Sequence, residues 1–126
     1  MLKNESSVII ADNTWAKRGQ IFRILKWSNA KTATVGDKVM IAIKSSLSTS
    51  AVKKGSISLA LIVRIRKEIS RKDGTYVRFG DNAVILMTKD AKWEIKPLGK
   101  RIFGPVAREL RQLGYKAITN IAEEVV

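Results

Sequence analysis

The chain contains no histidine and no cysteine among its 126 residues. Without histidine there is no Ser-His-Asp or Cys-His arrangement and no imidazole base working near neutral pH. Without either residue, zinc sites of the thiolate or imidazole type are excluded, and so are disulfides. Long apolar runs are missing too. None is longer than that from Leu59 to Val63, which is far short of a membrane span. Met1 to Ser7 carries Glu5 and no apolar stretch, unlike a secretory signal or an Arg-rich transit segment, so the expectation is either a chain that acts where it is made or one already processed. Acidic residues are scarce as well, 11 against 24 Lys and Arg, which leaves a net charge of +13.

What is present is core material. An apolar share of 45% is too high for a disordered basic tail and enough for a real hydrophobic interior at this length. We therefore expect one domain over 1–126, with no separating linker and no internal repeat. A net charge of this size repels itself unless a polyanion neutralises it. Nucleic acid is the leading partner class, and an anionic membrane surface comes second.

Apolar residues recur with period two. Val39, Ile41 and Ile43 alternate with Lys38, Met40, Ala42 and Lys44. In the clearest stretch, Ile57, Leu59, Leu61, Val63 and Ile65 are expected on the core side. Ser58, Ala60, Ile62, Arg64 and Arg66 are expected to point outward. Val8 to Ala11, Gln20 to Lys26, Tyr76 to Phe79 and Val84 to Met87 read as further strands. Turn signals separate them: Asp12-Asn13, Gly36-Asp37, Lys54-Gly55, Asp73-Gly74 and Gly80-Asp81-Asn82. Short strands at this spacing predict a small antiparallel β-barrel, because closure removes exposed edges. Ser45 to Ser50 reads as a flexible loop and Lys89 to Lys100 as an excursion off the barrel. Gly104-Pro105 and Gly114 bracket a predicted helix whose stripe is Val106, Leu110 and Leu113, docked on the barrel.

The charge is clustered. The densest group spans Arg64, Arg66, Lys67, Arg71, Lys72 and Arg78, opposed only by Glu68 and Asp73. Arginine is concentrated there, and its planar fork suits phosphate. Lys53 and Lys54 form a second group, Lys17, Arg18 and Arg23 a third. Lys100, Arg101, Arg108 and Arg111 form the last, around the helix entrance. Tyr76, beside Arg78, is the best single stacking candidate. Phe22, Phe79 and Phe103 are expected in the core, and packing is the default for Trp15, Trp27 and Trp93, so no single-strand stacking platform is expected. The acids Asp12, Asp37, Asp73 and Asp81 all sit in turn signals, where carboxylates cap backbone N–H groups, and no phosphate-loop fingerprint appears. An enzyme is not expected, nor is any cofactor or metal. Shape and phosphate recognition of folded RNA fits best. The alternative is a free-standing single-stranded RNA-binding barrel or translation-associated factor.

The stretch Ala60 to Leu86, ALIVRIRKEISRKDGTYVRFGDNAVIL, resembles the signature of the bacterial-type large-subunit ribosomal protein fourteen family. Ala60, Leu61 to Val63, Asp73, Gly74, Phe79, Asn82, Ile85 and Leu86 occupy its positions in order, with Ile85 where Val is usual. ADNTWAK at Ala11 to Lys17, VGDKV at Val35 to Val39, VKKG at Val52 to Gly55 and RIFGPVAREL at Arg101 to Leu110 extend the likeness. The resemblance implies a closed five-stranded barrel over about 1–88, carrying a protruding basic hairpin. A C-terminal loop and short helices would follow over about 89–126. It implies a structural, non-catalytic role on large-subunit rRNA, beside ribosomal proteins three and nineteen, in a bridge to small-subunit rRNA. Arg64 to Arg78 would reach into RNA. The Lys100 to Arg111 region would face the other subunit and offer a docking place for a ribosome-silencing factor. No membrane and no homo-oligomer is implied. Trp15 stands where the family usually has Gly, Lys100 where Thr is common, and Lys89 to Gly99 looks longer than its bacterial counterpart. Such drift suggests a mitochondrial copy in the matrix ribosome, with a bacterial cytoplasm or a plastid as the alternative.

Overall fold

The computed structural model describes residues 2–26, 30–50, 52–89 and 95–126; Trp27 and Trp93 lie outside them. In chain order the strands of the wall are β1 (Ser7–Ile10), β2 (Ala16–Ile24), β3 (Lys38–Ser46) and β4 (Ile57–Arg64). A small hairpin, β5 (Ile69–Ser70) with β6 (Tyr76–Val77), interrupts the path before β7 (Ala83–Lys89). Each wall strand pairs with the next in the order β1–β2–β3–β4–β7, and β7 returns to β1. Five strands therefore close into the expected barrel. Four pairings are antiparallel, and the seam, Ile9 against Ala83 and Ile10 against Val84, is parallel.

Register shows which residues fill the interior, since residues directly opposite one another share a face. Ile21 lies opposite Ile41, Ile24 opposite Val39, Val39 opposite Ala60, and Ala60 opposite Leu86. The interior side of β4 is thus Ser58, Ala60 and Ile62. This reverses the expected facing. Leu59 and Leu61 lie outside, opposite Met40 and Lys38 on one flank and Met87 and Ile85 on the other. The alternation was real, but both faces of β4 are apolar, so periodicity could not say which was inside. The outer face of Leu61 and Val63 is fully buried because the C-terminal segment crosses it; Ala107 N donates to Val63 O.

That segment departs from the predicted helix. β8 (Ile95–Pro97) folds back on β7, so Lys89 to Lys100 holds a strand rather than a pure excursion. β9 (Ile102–Val106) then runs extended through Gly104-Pro105. Only α1 (Glu109–Gln112) and α2 (Lys116–Ile121) are helical, and β10 (Ala122–Val125) returns parallel to β9. The reason is local. Gly104 takes a left-handed φ of 81°, which breaks any helix there, and the carbonyls on either side of it are captured by Arg64. Gly114 (φ 91°) does end α1, as expected. Val106 and Leu110 are buried and Leu113 reaches back over Gly36. The 45–50 segment is also tied down: Ser45 and Ser46 belong to β3, and Ser50 is buried with its hydroxyl donating to Thr14 O.

Candidate nucleic-acid interface

The strand order divides the basic residues between two ends of the barrel. At one end β4 finishes beside the start of β3 and the start of β7. The β5–β6 hairpin projects from here. Its turn is set by Gly74 (φ 87°) and by Asp73, whose Oδ1 accepts from both the Thr75 amide and the Thr75 hydroxyl. Those two bonds, the hydroxyl's first, hold the Asp73 carboxyl below its ordinary value, with the Arg71 charge adding a smaller pull. The carboxylate is thereby committed to its own turn.

Arg66, Lys67, Lys72, Tyr76 and Arg78 are exposed along this hairpin. Arg66 is braced, its amide donating to Asn82 Oδ1 and its Nε to Gly80 O, while its remaining donors are left for a partner. Arg78 meets Glu68 only at 4.0 Å with both side chains largely in water, which is worth little. Lys67 and Lys72 make no ion pair with the described residues. Arg23 is exposed on β2 toward the same end.

Arg64 is a correction to the outward-facing reading. Its side chain is 8% exposed and forks onto Asp81, Nε to Oδ1 at 2.8 Å and Nη2 to Oδ2 at 3.3 Å. Nη1 donates to the carbonyls of Phe103 and Pro105. Asp81 therefore serves this guanidinium rather than a backbone turn. Arg71 is similarly engaged: it forks onto Glu109 and donates to the main-chain oxygen of Val126 at 2.7 Å. It clasps the hairpin to α1. Between them lies a polar cleft of about 490 Å³ whose cations include Lys72 and Arg108. Arg108 thus joins the hairpin, a grouping that sequence distance concealed. Arg111 is exposed on the same helix.

The remaining candidates sit toward the opposite end, where β2 begins, β3 ends and β4 starts. Lys17 and Arg18 are exposed on β2; Lys53 and Lys54 are exposed in the turn before β4, with Lys53 Nζ on Ser48 O. Lys100 and Arg101 are anchored here, because Asn13 Oδ1 accepts from the Lys100 amide. Arg101 lies 3.9 Å from Glu123 and 5.9 Å from the Phe103 ring centre. Two of the phenylalanines expected in the core are not buried. Phe22 and Phe103 are exposed, Phe79 is partly buried, and Trp15 is 55% exposed. Trp15 also holds a left-handed φ of 66°, a position that favours Gly. Asp12 and Asp37 do cap backbone amides, of Thr14 and Thr34, and Asp37 also pairs with Lys26. Among the described residues no group of acids could hold a metal ion.

A family model described as ribosomal protein L14p/L23e matches residues 1–126. The chain is also 44% identical over 125 residues to the large ribosomal subunit protein uL14 of Petrotoga mobilis, covering 99% of each chain.

Proposed function

The chain belongs to the ribosomal protein L14p/L23e family, and from that premise we propose that it is a non-catalytic structural constituent of the large ribosomal subunit that binds large-subunit rRNA. The observation that carries the reading is the hairpin end. Arg66, Lys67, Lys72 and Arg78 stand exposed on an arm that Arg71 braces against α1. Their phosphate contacts release counterions and fix RNA against a rigid wall. Tyr76 offers a ring beside them. Arg23 adds a phosphate contact toward the same end, and Lys17, Arg18, Lys53 and Lys54 add others toward the opposite end. Arg64 and Arg71 act by holding the arm in place.

Lys100 and Arg101 at one end, and Arg108 and Arg111 beside the hairpin at the other, are the residues we assign to small-subunit rRNA, to ribosomal proteins three and nineteen and to a ribosome-silencing factor; the structure divides them between two surfaces. One core cluster running from Leu2 to Ile118 supports a single domain over 1–126. For location we keep the mitochondrial ribosome, on the departures at Trp15 and Lys100, beside a bacterial cytoplasm or a plastid; the bacterial relative at 44% identity supports the bacterial alternative.

Salt titration tests the RNA contact. Replacing Lys67, Lys72 and Arg78 together by Ala should flatten the slope of log affinity against log salt by roughly two to three units on an rRNA fragment. An unchanged slope would refute the assignment. In a lysate gradient the protein should travel with large subunits through a high-salt wash, and recovery as free protein would favour a free-standing barrel.

A further inference from the structure

We propose that Trp15 and Phe103, flanked by Lys100 and Arg101, form a stacking site for one unpaired nucleobase of RNA. The two rings come from positions far apart in the chain, and their centres lie 6.3 Å apart with planes tilted by 44°. Trp15 is 55% and Phe103 39% exposed. Trp15 and Lys100 line one side-opening cleft of about 370 Å³ beside them.

The backbone at Trp15 points to a purpose beyond packing. A φ of 66° crowds any residue with a Cβ, and a large exposed indole gains little burial in return. The conformation persists because its surroundings dictate it. Asp12 Oδ1 accepts from the Thr14 amide and hydroxyl, and Asp12 Oδ2 accepts from Leu86 N in the barrel wall. Ser50 Oγ donates to Thr14 O, and Leu47 N donates to Trp15 O. An over-determined, strained residue that presents its ring to solvent is the pattern found at binding sites. The indole is held ready, so a ligand pays little ordering entropy to use it.

Charge selects the occupant. Lys100 lines the cleft beside Trp15 and Arg101 lies 5.9 Å from the Phe103 ring centre, both exposed; the acid Glu123 meets Arg101 only at 3.9 Å, with both side chains at least half exposed. A nucleotide brings both a π face for the aromatics and a phosphate for the cations. The site rests on the RNA-binding reading above and adds contact with a base to contact with phosphate.

The test uses the full chain and three probes of equal length: an unstructured single-stranded RNA, the same strand without bases, and an RNA duplex. Tryptophan fluorescence and affinity are read for the wild type, Trp15→Gly and Phe103→Leu. Gly suits the left-handed backbone, so Trp15→Gly should keep its fold by circular dichroism. Single-stranded RNA should quench the wild type. Trp15→Gly should lose much of that quench and bind the strand about tenfold more weakly, while duplex affinity stays within about twofold. Phe103→Leu, which keeps the indole, should show an intermediate loss. If Trp15→Gly binds the strand as tightly as wild type, or the baseless strand quenches equally, the stacking site is overturned and duplex binding leaves the RNA reading standing. If no RNA form binds either protein, both readings fall.

Discussion

Removing the Arg64 guanidinium should damage the fold rather than the RNA contact. In Arg64→Ala the Asp81 carboxylate loses its fork, and the carbonyls of Phe103 and Pro105 lose their donor. Breaking one side of a buried ion pair costs about 3–5 kcal/mol. Asp81 is 33% exposed, so water can re-solvate it and the lower part of that range applies. The two carbonyls add about 1 kcal/mol or more where water does not replace the donor. We expect a net loss of about 3 kcal/mol, read as a melting temperature lowered by roughly 10 °C at this chain length. Lys67→Ala, at an exposed position, should stay within about 0.5 kcal/mol. Urea unfolding followed by circular dichroism gives both numbers. Below the melting range, Arg64→Ala should keep the wild-type salt slope on RNA, because a guanidinium already spent on Asp81 releases no counterion. A variant as stable as wild type whose slope falls by about one unit would show that Arg64 contacts phosphate and that the clasp is wrong.

Gly104→Ala places a Cβ 2.7 Å from Arg64 Nη1 at a φ of 81°; its cost, about 2 kcal/mol, should shrink when combined with Arg64→Ala in a double-mutant unfolding cycle. Gly36→Ala combines a φ of 87° with the methyl of Leu113 already in the Cβ position, and should cost about 2–4 kcal/mol in urea; Leu113→Ala should recover the steric part. Arg71→Ala should release the hairpin from α1, seen as faster hydrogen exchange at Gly74 and Thr75 than in wild type, with a cost of about 1–3 kcal/mol; unchanged exchange counts against the clasp. The Asp73 carboxyl should titrate below its ordinary value by carbon NMR, and Thr75→Val should move the midpoint upward. A lowered folded value means that this turn's contribution is present above the ordinary carboxylate range and is lost as pH falls through the lowered value.

The barrel was legible because period-two alternation and turn residues are local signals, and Val39, Ile41 and Ile43 display them without help from the rest of the chain. What failed was non-local. Alternation along β4 could not reveal that the face of Leu61 and Val63 is covered by a segment forty residues further on. The Gly104-Pro105 pair fits a helix start by composition, yet its conformation is dictated by Arg64 on another strand. The same limit governs the candidate interface. A count of basic residues treats Arg64 and Arg66 alike, although one is sealed against Asp81 and the other stands in water. Trp15 and Phe103 could not be paired by spacing at all. Charge that fastens the fold and charge left free for a partner are therefore not separable by composition. Arginine, with five donors, is suited to fastening, since it can hold a carboxylate and two carbonyls at once where lysine could not. The arginines that look most like a phosphate grip are in part the fold's own fasteners, so under the proposed function the exposed lysines beside them would carry more of the RNA contact than composition suggests.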